Sequence, residues 1–210
     1  NLFYQVERKV SLNEDLFKMA DRVRATEGQV FLYVLTRKET ETIATRLTSN
    51  YAVVARAYHA GMKTDDRALV MESFMSGATT VLVCTIACGM GIDHQGVRLV
   101  LHYGLPRDLS AYAQESGRSG RSGAKSECVL FAGAGDSAMQ FRFLDEDDDS
   151  AETQRKRRAI RQMADYVQST TCRRRLILAE FGETLPAGPC QMMDGSPGCD
   201  SPSASAAAVA

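Results

Sequence analysis

The sequence predicts an α/β fold, a parallel sheet with helices on both faces, followed by a small helical appendage. Three observations predict it. Short apolar runs alternate with segments of 10 to 15 residues that carry apolar side chains at helical spacing. Such alternation is the pattern of strand–helix–strand units joined by crossovers. The chain, at 210 residues, is long enough for one full α/β domain with a sizeable core plus an appendage.

The elements follow in order. Ser11-Leu-Asn-Glu14 has the form of a capping box, and Leu12, Leu16, Met19 and Val23 then recur at helical spacing up to Gly28. Val30 to Leu35 reads as a strand. Thr36-Arg-Lys-Glu39 caps a second helix that buries Ile43 and Leu47. Val53 to Tyr58 is a strand, and Thr64 to Ser76 a helix with Leu69, Val70 and Phe74 inward and Gly77 as its stop. Strands at Thr80 to Cys84, Val97 to Tyr103 and Glu127 to Ala132 complete the sheet, with a helix from about Asp108 leading into an arginine-rich stretch. After Phe143 the pattern changes to an amphipathic helix over Glu152 to Gln168 and another from Cys172 through Phe181, ended by Gly182, Pro186, Gly188 and Pro189. From Ser201 the chain is Ser/Ala/Pro-rich and is expected to be disordered. The expected organisation is therefore residues 1–146, 147–200 and 201–210.

A hydrophobic content of 44% and a charged content of 24% are ordinary for a soluble globular protein. No apolar run reaches the roughly 20 residues of a membrane span, and the start lacks a signal-peptide pattern; an intracellular protein with no membrane partner is expected. The net charge of −1 gives no bulk support for nucleic-acid binding. The charges are nonetheless segregated: an acidic run at 145–149 reads as a solvated loop, and Arg155-Lys-Arg-Arg158 as a solvated helix face or a phosphate contact.

The chemistry concentrates in Gln114-Glu115-Ser-Gly117-Arg118-Ser-Gly120-Arg121. Two arginines at helical spacing project from one face, and each guanidinium offers a permanently charged fork suited to phosphate oxygens. Alone, the same stretch reads equally as a flexible Gly/Ser turn with solvated arginines. Upstream lie Thr36-Arg37, Tyr58-His59-Ala60-Gly61 and Thr85 followed by Gly89-Met90-Gly91-Ile92-Asp93, each at a strand end. In parallel sheets ligands meet the loops at the carboxyl ends of strands. A lone histidine is usually structural, the reading that His94 and His102 keep.

These blocks, in this order, resemble the second RecA-like motor lobe of superfamily 2 helicases, and most closely the RecQ family, over nearly the whole chain. The resemblance implies an ATP-dependent 3′ to 5′ DNA helicase in which Arg121 is the arginine finger, Arg118 a phosphate or linking arginine, and Gln114 a hydrogen-bonding link. It further implies that Asp93 takes the ribose while Gly89 and Gly91 allow close approach to the nucleotide. Thr36, Arg37, His59, Gly61 and Thr85 would touch the backbone of single-stranded or duplex DNA. ATP and Mg²⁺ would be held by a first lobe, since neither a Gly-x-x-x-x-Gly-Lys-Ser/Thr loop nor the Mg²⁺-holding acidic motif is present here. The chain therefore looks like a fragment, inactive alone. Two alternatives stay open: a lobe of an RNA-directed superfamily 2 motor, and a non-catalytic nucleic-acid- or protein-binding module.

Cys84, Cys88 and Cys128 read as buried small hydrophobes. Cys172-Arg-Arg, with Phe181-Gly-Glu and then Cys190 and Cys199-Asp200, resembles the RecQ zinc module. The resemblance implies Cys172, Cys190 and Cys199 as Zn²⁺ ligands, but the family's fourth cysteine is replaced by Pro202, leaving Asp194 or Asp200 as substitutes. The break suggests a truncation or a misread exon boundary. The long gap from Cys190 to Cys199 resembles eukaryotic Bloom-type members, which implies a nuclear location.

Overall fold

The computed structural model describes residues 1–85, 94–144, 148, 150–186, 188 and 190–201. Its six strands are β1 (Leu2–Arg8), β2 (Gln29–Val34), β3 (Ala55–Tyr58), β4 (Val81–Cys84), β5 (Val97–Tyr103) and β6 (Ser126–Ala132). They form one sheet in the order β1-β6-β5-β2-β4-β3, and every pairing is parallel. The helices are α1 (Leu12–Ala25), α2 (Arg37–Tyr51), α3 (Thr64–Met75), α4 (Leu109–Ser116), α5 (Asp136–Phe141), α6 (Ala151–Gln168) and α7 (Arg173–Glu180).

Successive strand residues point to opposite faces, and the core divides accordingly. Val30, Leu32, Val83, Leu99 and Leu101 pack with Leu16, Met19, Ile43 and Leu47 of α1 and α2. Phe31, Tyr33, Leu82, Val100 and Leu130 pack with Phe74 of α3, Tyr112 of α4, Met163 and Tyr166 of α6 and Ile177 of α7. Strands covered on both faces need continuous apolar sequence, which is why β2 and β4 are buried throughout.

β2 and β5 are neighbours, yet the chain leaves β2 toward β4 and β3, and leaves β5 toward β6 and β1. Their carboxyl ends therefore form the switch point where connections diverge, the usual ligand crevice of such sheets.

Several expectations are corrected. β1, an edge strand, is not anticipated by the sequence analysis, although Leu2, Tyr4 and Val6 alternate; α5 is likewise additional. Leu69 does not point inward: it is 64% exposed, while Phe74 is buried and Val70 partly so. The full capping box belongs to Thr36, whose hydroxyl accepts from the Glu39 N–H at 3.2 Å while Glu39 Oε2 accepts from the Thr36 N–H at 2.8 Å. Ser11 accepts from the Glu14 N–H, and Glu14 returns only to the Ser11 hydroxyl. Thr36→Ala is expected to lower stability by about 1 kcal/mol, read as a shift in the denaturant midpoint with an unchanged slope, and Thr36→Ser to restore most of it.

Candidate functional site

Two groups of residues occupy opposite edges of the sheet. At the carboxyl edge, Thr36 caps α2 and Arg37 begins it. His59, 5% exposed, follows β3; its Nδ1 accepts from the Gly61 N–H at 3.2 Å, so Nε2–H donates to Glu41 Oε1 at 3.2 Å. The Arg37 side chain crosses above Gly61, where an added Cβ would lie 3.0 Å from Nη1. Tyr58 pairs in register with Cys84, which sets Thr85 beside His59. The structure thus brings Thr36, Arg37, His59, Gly61 and Thr85 to one edge. The Thr36 hydroxyl also donates to Glu39 Oε2 at 2.9 Å and is committed to its cap. Gly89, Gly91 and Asp93 lie outside the described residues.

The arginine stretch lies elsewhere. α4 ends at Ser116 with Gly117 as its cap, so Arg118 and Arg121 do not share a helical face as their spacing suggested. They sit in successive turns that reach the amino-terminal edge, where the Gly120 N–H donates to the carbonyl of Val97, the first residue of β5, at 3.2 Å. Gly120 has a φ of 67°, in the left-handed region that favours glycine, and a Cβ there would also press on the Asn1 side chain, 2.5 Å from its Nδ2. Arg118 is 6% exposed and anchors the turn, while Arg121 is exposed. Gln114 is exposed on α4; its neighbour Glu115 is buried and accepts from His102 Nε2 at 2.8 Å.

In the appendage, Cys172, Cys190 and Cys199 are buried, with their Sγ atoms within 4.8 Å of one another. Burial pushes the Cys172 thiol up, but backbone N–H groups of Arg174 and Arg175 at the start of α7, together with the other two thiols, outweigh it and hold it below the ordinary cysteine range. Burial and the neighbouring thiols raise Cys190 to about 12 and Cys199 above its ordinary value. A Cβ at Gly198 would lie 2.8 Å from Cys190 Sγ, so the loop closes on the thiols with no room to spare.

Neither substitute ligand joins them. Asp200 accepts from Arg173 Nε at 3.0 Å and from the Val6 N–H at 2.8 Å. Asp194 caps its own turn through the Ser196 N–H at 3.0 Å. Arg174 and Arg175 donate to carbonyls of Gln191, Leu185, Pro186 and Gly188, and Arg174 also to Leu2. The Tyr4 N–H donates to the Gly198 carbonyl at 3.1 Å and the Asp200 N–H to the Tyr4 carbonyl at 3.0 Å, so the thiol-bearing loop is stitched onto the open side of β1.

The parallel sheet carries an arginine turn on one edge and a His-x-Gly corner on the other, and residues 9–123 match the helicase conserved C-terminal domain, which makes this part of the chain a helicase C-terminal domain. Residues 134–201 match the RecQ zinc-binding domain. The chain belongs to the RecQ helicases. It is similar to the ATP-dependent DNA helicase hus2/rqh1 of Schizosaccharomyces pombe, 34% identical over 202 residues that cover 95% of this chain and 15% of that protein. It is also similar to the ATP-dependent DNA helicase RecQ of Bacillus subtilis, 42% identical over 187 residues, 89% of this chain and 31% of that one. The chain thus spans less than a third of the length of either relative. Among solved structures it resembles the Mycobacterium smegmatis helicase Lhr bound to ssDNA and AMP-PNP, with a TM-score of 0.59 and 22% identity over 90% of this chain and 23% of that one; at that identity the likeness speaks to the fold alone.

Proposed function

We propose that this chain is the second motor lobe of an ATP-dependent 3′ to 5′ DNA helicase, supplying arginines to ATP from one sheet edge and backbone contacts to DNA from the other. The observation that carries this reading is the arginine turn, in which a buried Arg118 and a glycine at positive φ leave Arg121 exposed. Phosphoryl transfer asks for charge stabilisation on the γ-phosphate more than for covalent chemistry, and a guanidinium held by a rigid turn supplies it. A first lobe would hold ATP and Mg²⁺; Asp93, Gly89 and Gly91 would face the nucleotide from this lobe, and Gln114 would link the two edges.

At the carboxyl edge Arg37, the Gly61 N–H, Thr36, His59 and Thr85 suit phosphate oxygens and carry no base information, so binding is sequence-tolerant. Cys172, Cys190 and Cys199 provide three thiols of the set a structural zinc requires, and bound Zn²⁺ would act as a rigid crosslink between α7 and the loop on β1. The boundary near residue 147 and a nuclear location belong to the same proposal.

The test is reconstitution. The chain alone is expected to show no DNA-stimulated ATP hydrolysis, and the chain joined to a lobe carrying the phosphate-binding loop to show it. Affinity for single-stranded DNA should fall steeply with salt, and Arg37→Ala should lower that salt slope by about 1. Turnover by the isolated chain would overturn the division of labour.

A further inference from the structure

We infer that His102 and Glu115 form a buried clamp that positions the arginine turn, an inference that rests on the motor reading above. His102 lies near the end of β5 and is 2% exposed; Glu115, on the last turn of α4, is 4% exposed. Their bond, His102 Nε2 to Glu115 Oε2, is 2.8 Å long. The imidazole is held from both sides, stacked on Tyr33 at 5.0 Å and 18° and edge-on to Tyr112 at 5.0 Å and 67°. A histidine packed this way has little freedom, so the carboxylate it grips is fixed as well.

The clamp is tied to segments that reach both edges of the sheet. Tyr33 is in β2, three residues before Thr36. Glu115 precedes Arg118 by three residues, and its carbonyl accepts the Arg118 N–H at 3.2 Å. The Ser116 carbonyl accepts the next donor, the Ser119 N–H, at 3.2 Å. A continuous set of contacts therefore runs from the strand that delivers Thr36 and Arg37, through two rings, to the turn that presents Arg121. Neither His102 nor Glu115 reaches the surface to touch ATP or DNA, so both are positioning residues. A paired, buried carboxylate is also costly to leave without its partner, which is a reason for the pair to act as one unit.

The experiment measures DNA-stimulated ATP hydrolysis in the reassembled two-lobe enzyme. His102→Phe keeps the ring between Tyr33 and Tyr112 and removes both nitrogens; Glu115→Ala removes the acceptor; Glu115→Gln keeps an acceptor oxygen. Since small misplacements of a reacting group cost up to about 100-fold, His102→Phe and Glu115→Ala are each expected to lower kcat by about 10- to 100-fold, with KM for ATP and Kd for single-stranded DNA within about twofold of the parent. Glu115→Gln should recover most of the loss, and the double variant should be no worse than the worse single one. Arg121→Ala is assayed alongside. Parent-like kcat in His102→Phe with an inactive Arg121→Ala, or losses that simply multiply in the double variant, would overturn the clamp and leave the finger standing. An active Arg121→Ala would overturn the finger and the clamp together. If His102→Phe does not fold, the two Glu115 variants carry the comparison.

Discussion

Arg121→Ala is expected to lower DNA-stimulated ATP hydrolysis by about 10³-fold or more in the reassembled two-lobe enzyme, with DNA affinity and melting temperature unchanged. The two arginines of the turn should separate experimentally, because their surroundings differ. Arg121 is exposed, so its removal opens no cavity in the core. Arg118 is 6% exposed and lies in sequence between Ser116 and Ser119, themselves buried, so Arg118→Ala should lower both turnover and melting temperature. Turnover kinetics with a thermal melt on each variant make the comparison. A melting temperature that falls with Arg121→Ala, or turnover that survives it, would contradict the assignment.

The second large effect is expected at the thiols. Binding of structural zinc contributes about 10 kcal/mol or more in small modules, comparable with the roughly 5–15 kcal/mol stability of a whole domain. Cys172 sits between α7 and the other two thiols and is the one held toward its thiolate form, so Cys172→Ser is expected to abolish stoichiometric zinc. A chelator should act likewise, releasing the segment from α7 to Ser201 while the sheet core persists. Metal analysis of the purified protein and hydrogen exchange at the Tyr4 and Val6 amides give the readout. Zinc content that survives Cys172→Ser, or amides that stay protected without metal, would refute it.

How much was legible in the sequence can be seen element by element. β5 was read to the residue because its apolar run is buried on both faces and ends at Gly104. α2 was legible from its cap, a local interaction between residues three apart. β1 was not, because its strand character comes from pairing with a segment more than 100 residues away, Leu2 opposite Ser126. Leu69 was misread because apolar residues encircle α3 and leave no dominant face. The arginines were placed correctly in sequence but read as one helical face: Gly117 ends α4 and turns the chain to the amino-terminal side. Of the carboxyl-edge residues, Thr36 carried its capping role openly, while the contact of Arg37 with Gly61 required the fold. Glu115 was quoted as part of a motif with no role of its own. A glutamate at that point in an otherwise apolar helix face was the available signal, and its partner His102 could not be inferred without β5 lying beneath it.

The loop stitched to β1 has one more consequence. A strand at the rim of a sheet offers unpaired donors and acceptors to any other chain, and proteins without cover there tend to associate through it. Here the Leu2 and Tyr4 carbonyls and the Tyr4 and Val6 amides are taken by Arg174, Gly198 and Asp200. The segment that carries the thiols therefore covers this edge against intermolecular strand addition, and if zinc holds that segment in place, its removal would turn a folding problem into a solubility problem.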